Sequence, residues 1–168
     1  MTALQDKLAP PKLSGKQYPR TDYGGTLLSA EGMVRLSSSG GGDKPVRYAR
    51  ALDASPCGND PILHTEEEEN PWALVTLAGV SIVKGVVVEN RARDAKAREE
   101  QAPLEIQLSE DGENWQTVFT DPAGRETYHA DLRKNDVRSL YVRVRRKPKA
   151  KKSVFHLTKI LVYGKKLY

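Results

Sequence analysis

Asn70-Pro71-Trp72-Ala73-Leu74-Val75-Thr76-Leu77-Ala78-Gly79-Val80-Ser81-Ile82-Val83-Lys84-Gly85-Val86-Val87-Val88-Glu89-Asn90-Arg91 dictates how the rest of the chain must pack. It holds the densest apolar material of the sequence and is rich in Val and Ile, side chains that suit a pleated surface. Leu74 and Thr76 alternate with Val75 and Leu77, and a second apolar run extends from Val80 to Val88. The pattern predicts two strands joined by a tight link at Ala78-Gly79, with Gly85 marking a bend or bulge in the second. Trp72 is expected to anchor one end of the core. A run this apolar, without helical caps, does not read as a helix.

The bulk numbers are those of a globular domain with a real core: 168 residues, 38% hydrophobic and 29% charged. No apolar run approaches the roughly 20 residues that cross a bilayer. Met1 opens a polar segment rather than a signal peptide, so an exported form would have lost that peptide or carry it elsewhere. The single cysteine, Cys57, excludes an internal disulfide framework and leaves the compartment open. Net charge is +5 and unevenly placed. Glu66 to Glu69 form an acidic block; Arg143, Arg145, Arg146, Lys147, Lys149, Lys151 and Lys152 form a basic one. A solvated loop is the plainer reading of such a block, and a polyanion-binding patch the sharper one.

Residues 1–25, punctuated by Pro10-Pro11, Pro19 and Gly24-Gly25, read as a lead-in arm or linker, and 26–168 as one domain. Thr26–Ser29 and Met33–Ser37 read as short strands, and Ser37 to Gly42 as a flexible loop. Val46–Leu52 fits either a strand or one helical turn, and Ala92–Gln101 a long loop or one helical turn. Leu104, Ile106 and Leu108 alternate with Glu105, Gln107 and Ser109, a half-buried strand. Asp111-Gly112 then supplies the positive φ of a hairpin turn. Leu140, Val142 and Val144 alternate with Tyr141, Arg143 and Arg145 as a further strand. Phe155 and Leu157 run out of phase with Ile160 and Val162, which predicts a bulge at Thr158-Lys159. Repeated short strands, turn signals and little helical period predict an all-β fold, an antiparallel sandwich.

This ordered set resembles the discoidin, or coagulation-factor type C, domain. Asn70–Leu77 and Val83–Arg91 look like its middle strands, Leu104–Trp115 its next strand and turn, and Leu140–Val144 and Ile160–Gly164 its closing strands. The resemblance covers residues 26–164. It implies a galactose-binding-like β-sandwich, a jelly roll of about eight strands, like family 32 carbohydrate-binding modules and fucose-binding lectins. It further implies a non-catalytic, secreted or cell-surface module that grips a glycan with loops at one end and is attached to a polysaccharide-active enzyme. Family members commonly carry Asp where this chain has Thr76, and often a structural calcium held by an Asp near Asp53 and a Glu before the last strand. Here Lys159 stands at that Glu position, and an ammonium in the shell would repel the ion. The expectation is therefore no cofactor, with Lys159 paired to Asp53 or nearby carbonyls, set against a Lys159 facing solvent at the bulge.

Sugar sites need planar donors for hydroxyl pairs and an aromatic face for the ring. Arg91 stands at a strand end and Arg93 and Arg98 in the loop beyond it. In the fucose lectins a similar Asn-Arg start leads into a loop whose arginines hold sugar, although their paired cysteines are replaced here around Ala95-Lys96. His64 at a loop edge is a further candidate, with Arg47 and Tyr48 flanking the rim. Against each stands a plainer role: a solvated loop for the arginines, a structural hydrogen bond for His64, packing for Tyr48. Trp72 and Trp115 read as core rather than as platforms. No His-Glu-x-x-His, phosphate-cradling Gly loop or Ser nucleophile elbow occurs, so the chain does not read as an enzyme. The leading expectation is a carbohydrate-binding module, with the charge favouring an acidic or sulfated glycan. The alternative is a protein- or nucleic-acid-interaction module using Arg143 to Lys152 as a loop between the last two strands; that block carries no interleaved aromatics for base stacking.

Overall fold

A computed structural model describes residues 23–38, 45–55, 62–90, 95–148 and 151–168. The strands are β1 (Thr26–Leu27), β2 (Met33–Leu36), β3 (Leu63–His64), β4 (Trp72–Asn90), β5 (Leu104–Ser109), β6 (Gln116–Asp121), β7 (Thr127–Asp131), β8 (Arg138–Arg146) and β9 (His156–Lys166). Two helical turns, α1 (Pro45–Ala49) and α2 (Ala95–Glu99), and a 3-10 turn at Leu28–Glu31 complete it. All pairings are antiparallel, and the fold is the antiparallel β-sandwich that the alternating pattern implies.

Ala78-Gly79 is not a turn. β4 runs unbroken for 19 residues and belongs to both layers. Its first half pairs with β2 and β8, its second half with β7 and β9. The register with β8 shifts between Thr76 and Ser81, where small residues let the strand bend from one sheet into the other. One layer is thus β2-β4-β8-β5-β6 and the other is β7-β4-β9-β1, with β3 on the far end of β9. The main core lies between them, with Val75, Val142 and Ile106 meeting Val86, Ile160 and Val162.

Both bulges fall where the phase of the sequence breaks. Pairing of β4 with β9 skips Lys84 beside Gly85, and skips Thr158 between Leu157 and Lys159. Gly85 has a packing reason as well: a Cβ there would stand 2.1 Å from the Tyr23 ring. Tyr23 is buried and lies 5.9 Å from the Tyr163 ring, in a second small cluster with Val87 and Leu161. Packing on both faces explains why the second half of β4 is buried at every position from Gly85 to Asn90. Residues 1–22 of the lead-in lie outside the described residues. Gly112, at φ 80°, makes the turn after β5, and Asp111 accepts the Glu113 and Asn114 amides there at 2.8 Å.

Two expectations need correction. Trp72 and Trp115 are half-exposed and outside the core. Trp72 shares the phase of Leu74 and Thr76, which faces outward, while Ala73, Val75 and Leu77 face in. The basic block is likewise not one loop. Arg143, Arg145 and Arg146 lie in β8, and Arg146, 1% exposed, follows Val142 and Val144 into the interior.

Candidate site at the loop end

Because β4 folds over at its middle, both of its ends reach the same end of the sandwich. Lys147 after β8 donates its amide to Pro103 before β5 at 2.7 Å, and Asn90 Nδ2 donates to the Arg98 carbonyl at 3.3 Å. Arg146 reaches the Glu69 carbonyl at 2.7 Å. The segments 65–71, 95–103, 147–148 and 151–155 therefore cluster there.

His64 ends β3 and stands opposite His156, the first residue of β9. Directly opposed residues share a face, and the two rings stack with centroids 6.1 Å apart and planes 25° apart. His156 is 3% exposed. Its amide donates to Gln101 Oε1 at 3.1 Å, and its Nε2 lies 3.0 Å from Gln101 Nε2 and 3.2 Å from Glu100 Oε2. That nitrogen either accepts from the Gln101 amide or donates to the Glu100 carboxylate, depending on the tautomer. His64 Nδ1 is buried and has no hydrogen-bond partner among the described residues. A buried polar atom left so is uncommon and asks for a reason. Arg98, on α2, is half-exposed and makes no ion pair among the described residues. Around the His64–His156 stack the end thus offers a ring nitrogen, a carboxylate and an amide, and Arg98, whose carbonyl accepts from Asn90 at the same end, adds a guanidinium, the mixture that sorts sugar hydroxyls.

The remaining candidates divide. Arg91 and Arg93 lie outside the described residues, as does Cys57. Arg47 is exposed on α1, whereas Tyr48, 6% exposed, packs into the core. The acidic loop is partly tied down: Glu68 pairs with Ser153 as a bridge and accepts from the Ser38 hydroxyl. His156, Glu100 and Gln101 were missed from sequence, because only the register of β3 on β9 brings His156 beside His64.

The residues at the Asp53 loop do not fit a calcium ion. The Lys159 side chain is fully buried, and its Nζ donates to the Arg50 carbonyl and, at 2.8 Å, to the Asp53 carbonyl. Asp53 Oδ1 lies 3.6 Å away. The oxygens a hard cation would need converge on an ammonium group instead. Burial alone would raise the Asp53 pKa, but hydrogen bonds from Ser55 and the Lys159 charge hold its carboxyl below the usual range. No group of three or more metal-ligating side chains occurs among the described residues.

Two open clefts, of about 650 and 460 Å³, lie at the other end, between β6 and the loops flanking it. Their walls are mixed and charged, with Arg133 already paired to Asp131 at 2.6 Å, so the geometry favours the histidine end. No helix among the described residues is long and apolar enough to cross a membrane.

The sequence profile of the NedA-like, galactose-binding domain matches residues 51–144, more than half of the chain. The chain belongs to that family. Among curated proteins none matches this galactose-binding-like domain in sequence. Solved structures share its fold. CpGH89CBM32-5 from Clostridium perfringens, solved with GalNAc-β-1,3-galactose, is 16% identical, with a TM-score of 0.58 over 83% of this chain and 100% of that one. A Streptococcus pneumoniae fucose binding module, SpX-3, is 18% identical, with a TM-score of 0.59 over 84% and 99%. A fucolectin from Morone saxatilis (striped bass) serum is 20% identical, with a TM-score of 0.62 over 86% of this domain and 49% of its own chain.

Proposed function

We propose that this domain is a non-catalytic glycan-binding module that holds its sugar at the loop end, between His64 and Arg98. The observation that carries the reading is the buried His64 Nδ1, which has no hydrogen-bond partner among the described residues, at the end of a galactose-binding fold where Arg98 makes no ion pair among them. A sugar hydroxyl would complete the first, and a hydroxyl pair or ring oxygen would engage the second. Arg47, exposed on α1, and the sequence candidates Arg91 and Arg93 are further donors to test in this reading. Neighbours solved with a galactose-containing disaccharide or named for fucose binding make those two sugars the first to try. Export to the cell surface or medium, and attachment to a polysaccharide-active enzyme, complete the proposal.

A glycan array followed by titration calorimetry tests it. Binding to a galactose- or fucose-bearing glycan is expected, weakened roughly tenfold or more by His64→Ala and by Arg98→Ala, the scale of losing one charge-assisted or buried hydrogen bond. Melting of Arg98→Ala should match the parent protein. An array without hits, or variants that bind as tightly as the parent, would overturn the reading. The nucleic-acid alternative has lost its continuous strip, because Arg146 is locked inside the fold.

A further inference from the structure

Residues directly opposed across the outward face of the β2-β4-β8-β5-β6 layer form a continuous row. Arg35 stands opposite Leu74, Leu74 opposite Arg143, Arg143 opposite Gln107, and Gln107 opposite Thr117. Aromatic rings flank that row at both ends. The Arg35 guanidinium lies 6.0 Å from the Trp72 centroid, and that of Arg143 lies 4.0 Å from the Trp115 centroid. Gln107 Oε1 accepts from Arg143 Nε at 2.8 Å, which orients the guanidinium and leaves its two terminal amino groups unassigned among the described residues. Neither Arg35 nor Arg143 has a carboxylate partner there; the one carboxylate on the face, Glu105, is taken by Arg145 at 3.1 Å. The face therefore carries an uncompensated positive charge between half-exposed aromatic rings.

We propose that this face is a second ligand surface, independent of the loop end, and that it takes a linear acidic polysaccharide lying across the strands. The backbones of Arg35 and Arg143 are two strands apart, about 10 Å at the usual strand spacing, within reach of the carboxylates of neighbouring disaccharides once their long side chains adjust. A glycan with one carboxylate per disaccharide matches that interval. Leu74 lies between the two arginines in the row, and Trp72, two residues along the same strand, offers further apolar surface to a sugar ring. Nucleic acid fits less well: its phosphates recur at every nucleotide, and one face of the Trp115 ring is covered by Arg143 rather than open to a base.

Hyaluronan, a linear glycan with one carboxylate per repeat and no sulfate, is the probe, with oligothymidylate as the competing polyanion. By calorimetry at low salt the protein is expected to bind hyaluronan, with affinity falling as salt rises. Arg35→Glu and Arg143→Gln should each weaken that binding roughly tenfold or more, and Arg98→Ala should leave it unchanged. Arg35 is exposed, so Arg35→Glu decides the matter even if Arg143→Gln melts early. Absence of hyaluronan binding, equal affinity in Arg35→Glu, or tighter binding of oligothymidylate would overturn the proposal. A failed array with hyaluronan binding intact would instead remove only the loop-end reading.

Discussion

Replacing Lys159 with alanine lowers the melting temperature by roughly 10 °C, on the scale of about 3–5 kcal/mol for removing one partner of a buried charge cluster in a domain of this size. The side chain is fully buried, and its ammonium serves the Arg50 and Asp53 carbonyls and the Asp53 carboxylate. Alanine leaves those oxygens facing a void that they line with no donor. Lys159→Met refills the volume but not the charge, so it should recover only part of the loss. Calcium chloride and a chelator should both leave the melting temperature of the parent protein unmoved, because the position is filled by an amine. Thermal denaturation followed by circular dichroism measures all of this; an alanine variant melting within about 2 °C of the parent would refute the account. The same cluster sets a pH dependence. Asp53 has a folded pKa below its ordinary 3.8, so its contribution is complete above about pH 5 and is lost as pH falls through the unfolded and then the folded value. Asp53→Asn should flatten the acid limb of a stability–pH curve and lower its plateau.

The second large effect belongs to Arg146. Its Nη2 donates to the Glu69 carbonyl at 2.7 Å and the Lys151 carbonyl at 2.6 Å, and its Nη1 to the Ser153 hydroxyl. One planar fork thus ties the end of β8 to the acidic loop and to the return toward β9. Arg146→Ala should cost about 3–5 kcal/mol, because it strands two carbonyls and the Ser153 hydroxyl and empties a buried site. Arg146→Lys should restore little, since an ammonium cannot reproduce the planar fork. Arg145→Ala, on the outward face of the same strand and paired to a partly covered carboxylate, is the control and should cost below about 1 kcal/mol. Urea denaturation of the three variants gives the comparison; equal losses for Arg145→Ala and Arg146→Ala would contradict it.

Much of this architecture could be read from alternation alone. Leu104–Ser109 and Leu140–Arg145 announce their inward and outward faces, the phase break at Thr158-Lys159 marks its bulge, and Asp111-Gly112 its turn. The continuity of β4 was hidden, because a strand that bends between layers needs the same small residues, Ala78 and Gly79, that a turn would use. Trp72 misled by its size: its phase groups it with Thr76, not with Val75, and phase decides which way a strand residue points. Arg146 misled by its charge, although the count from Val142 and Val144 places it inside. Of the candidate site, His64 was visible from its type at a loop edge, and Arg98 from its place in the segment beyond the Arg91 strand end. Their neighbour His156 was not, since nothing local in a sequence states which distant strand a two-residue strand will pair with. The row from Arg35 to Thr117 was hidden for the same reason, as it draws one residue from each of five strands.

A single strand threaded through both layers has a consequence for how the molecule opens. Neither sheet can peel away while the other stays closed, because the first breaks apart only by pulling its shared member out of the second. The slowest-exchanging amides of β8 and of β9 should therefore report one common opening free energy, equal to that of global unfolding, and the domain should have no half-open form in which one layer survives.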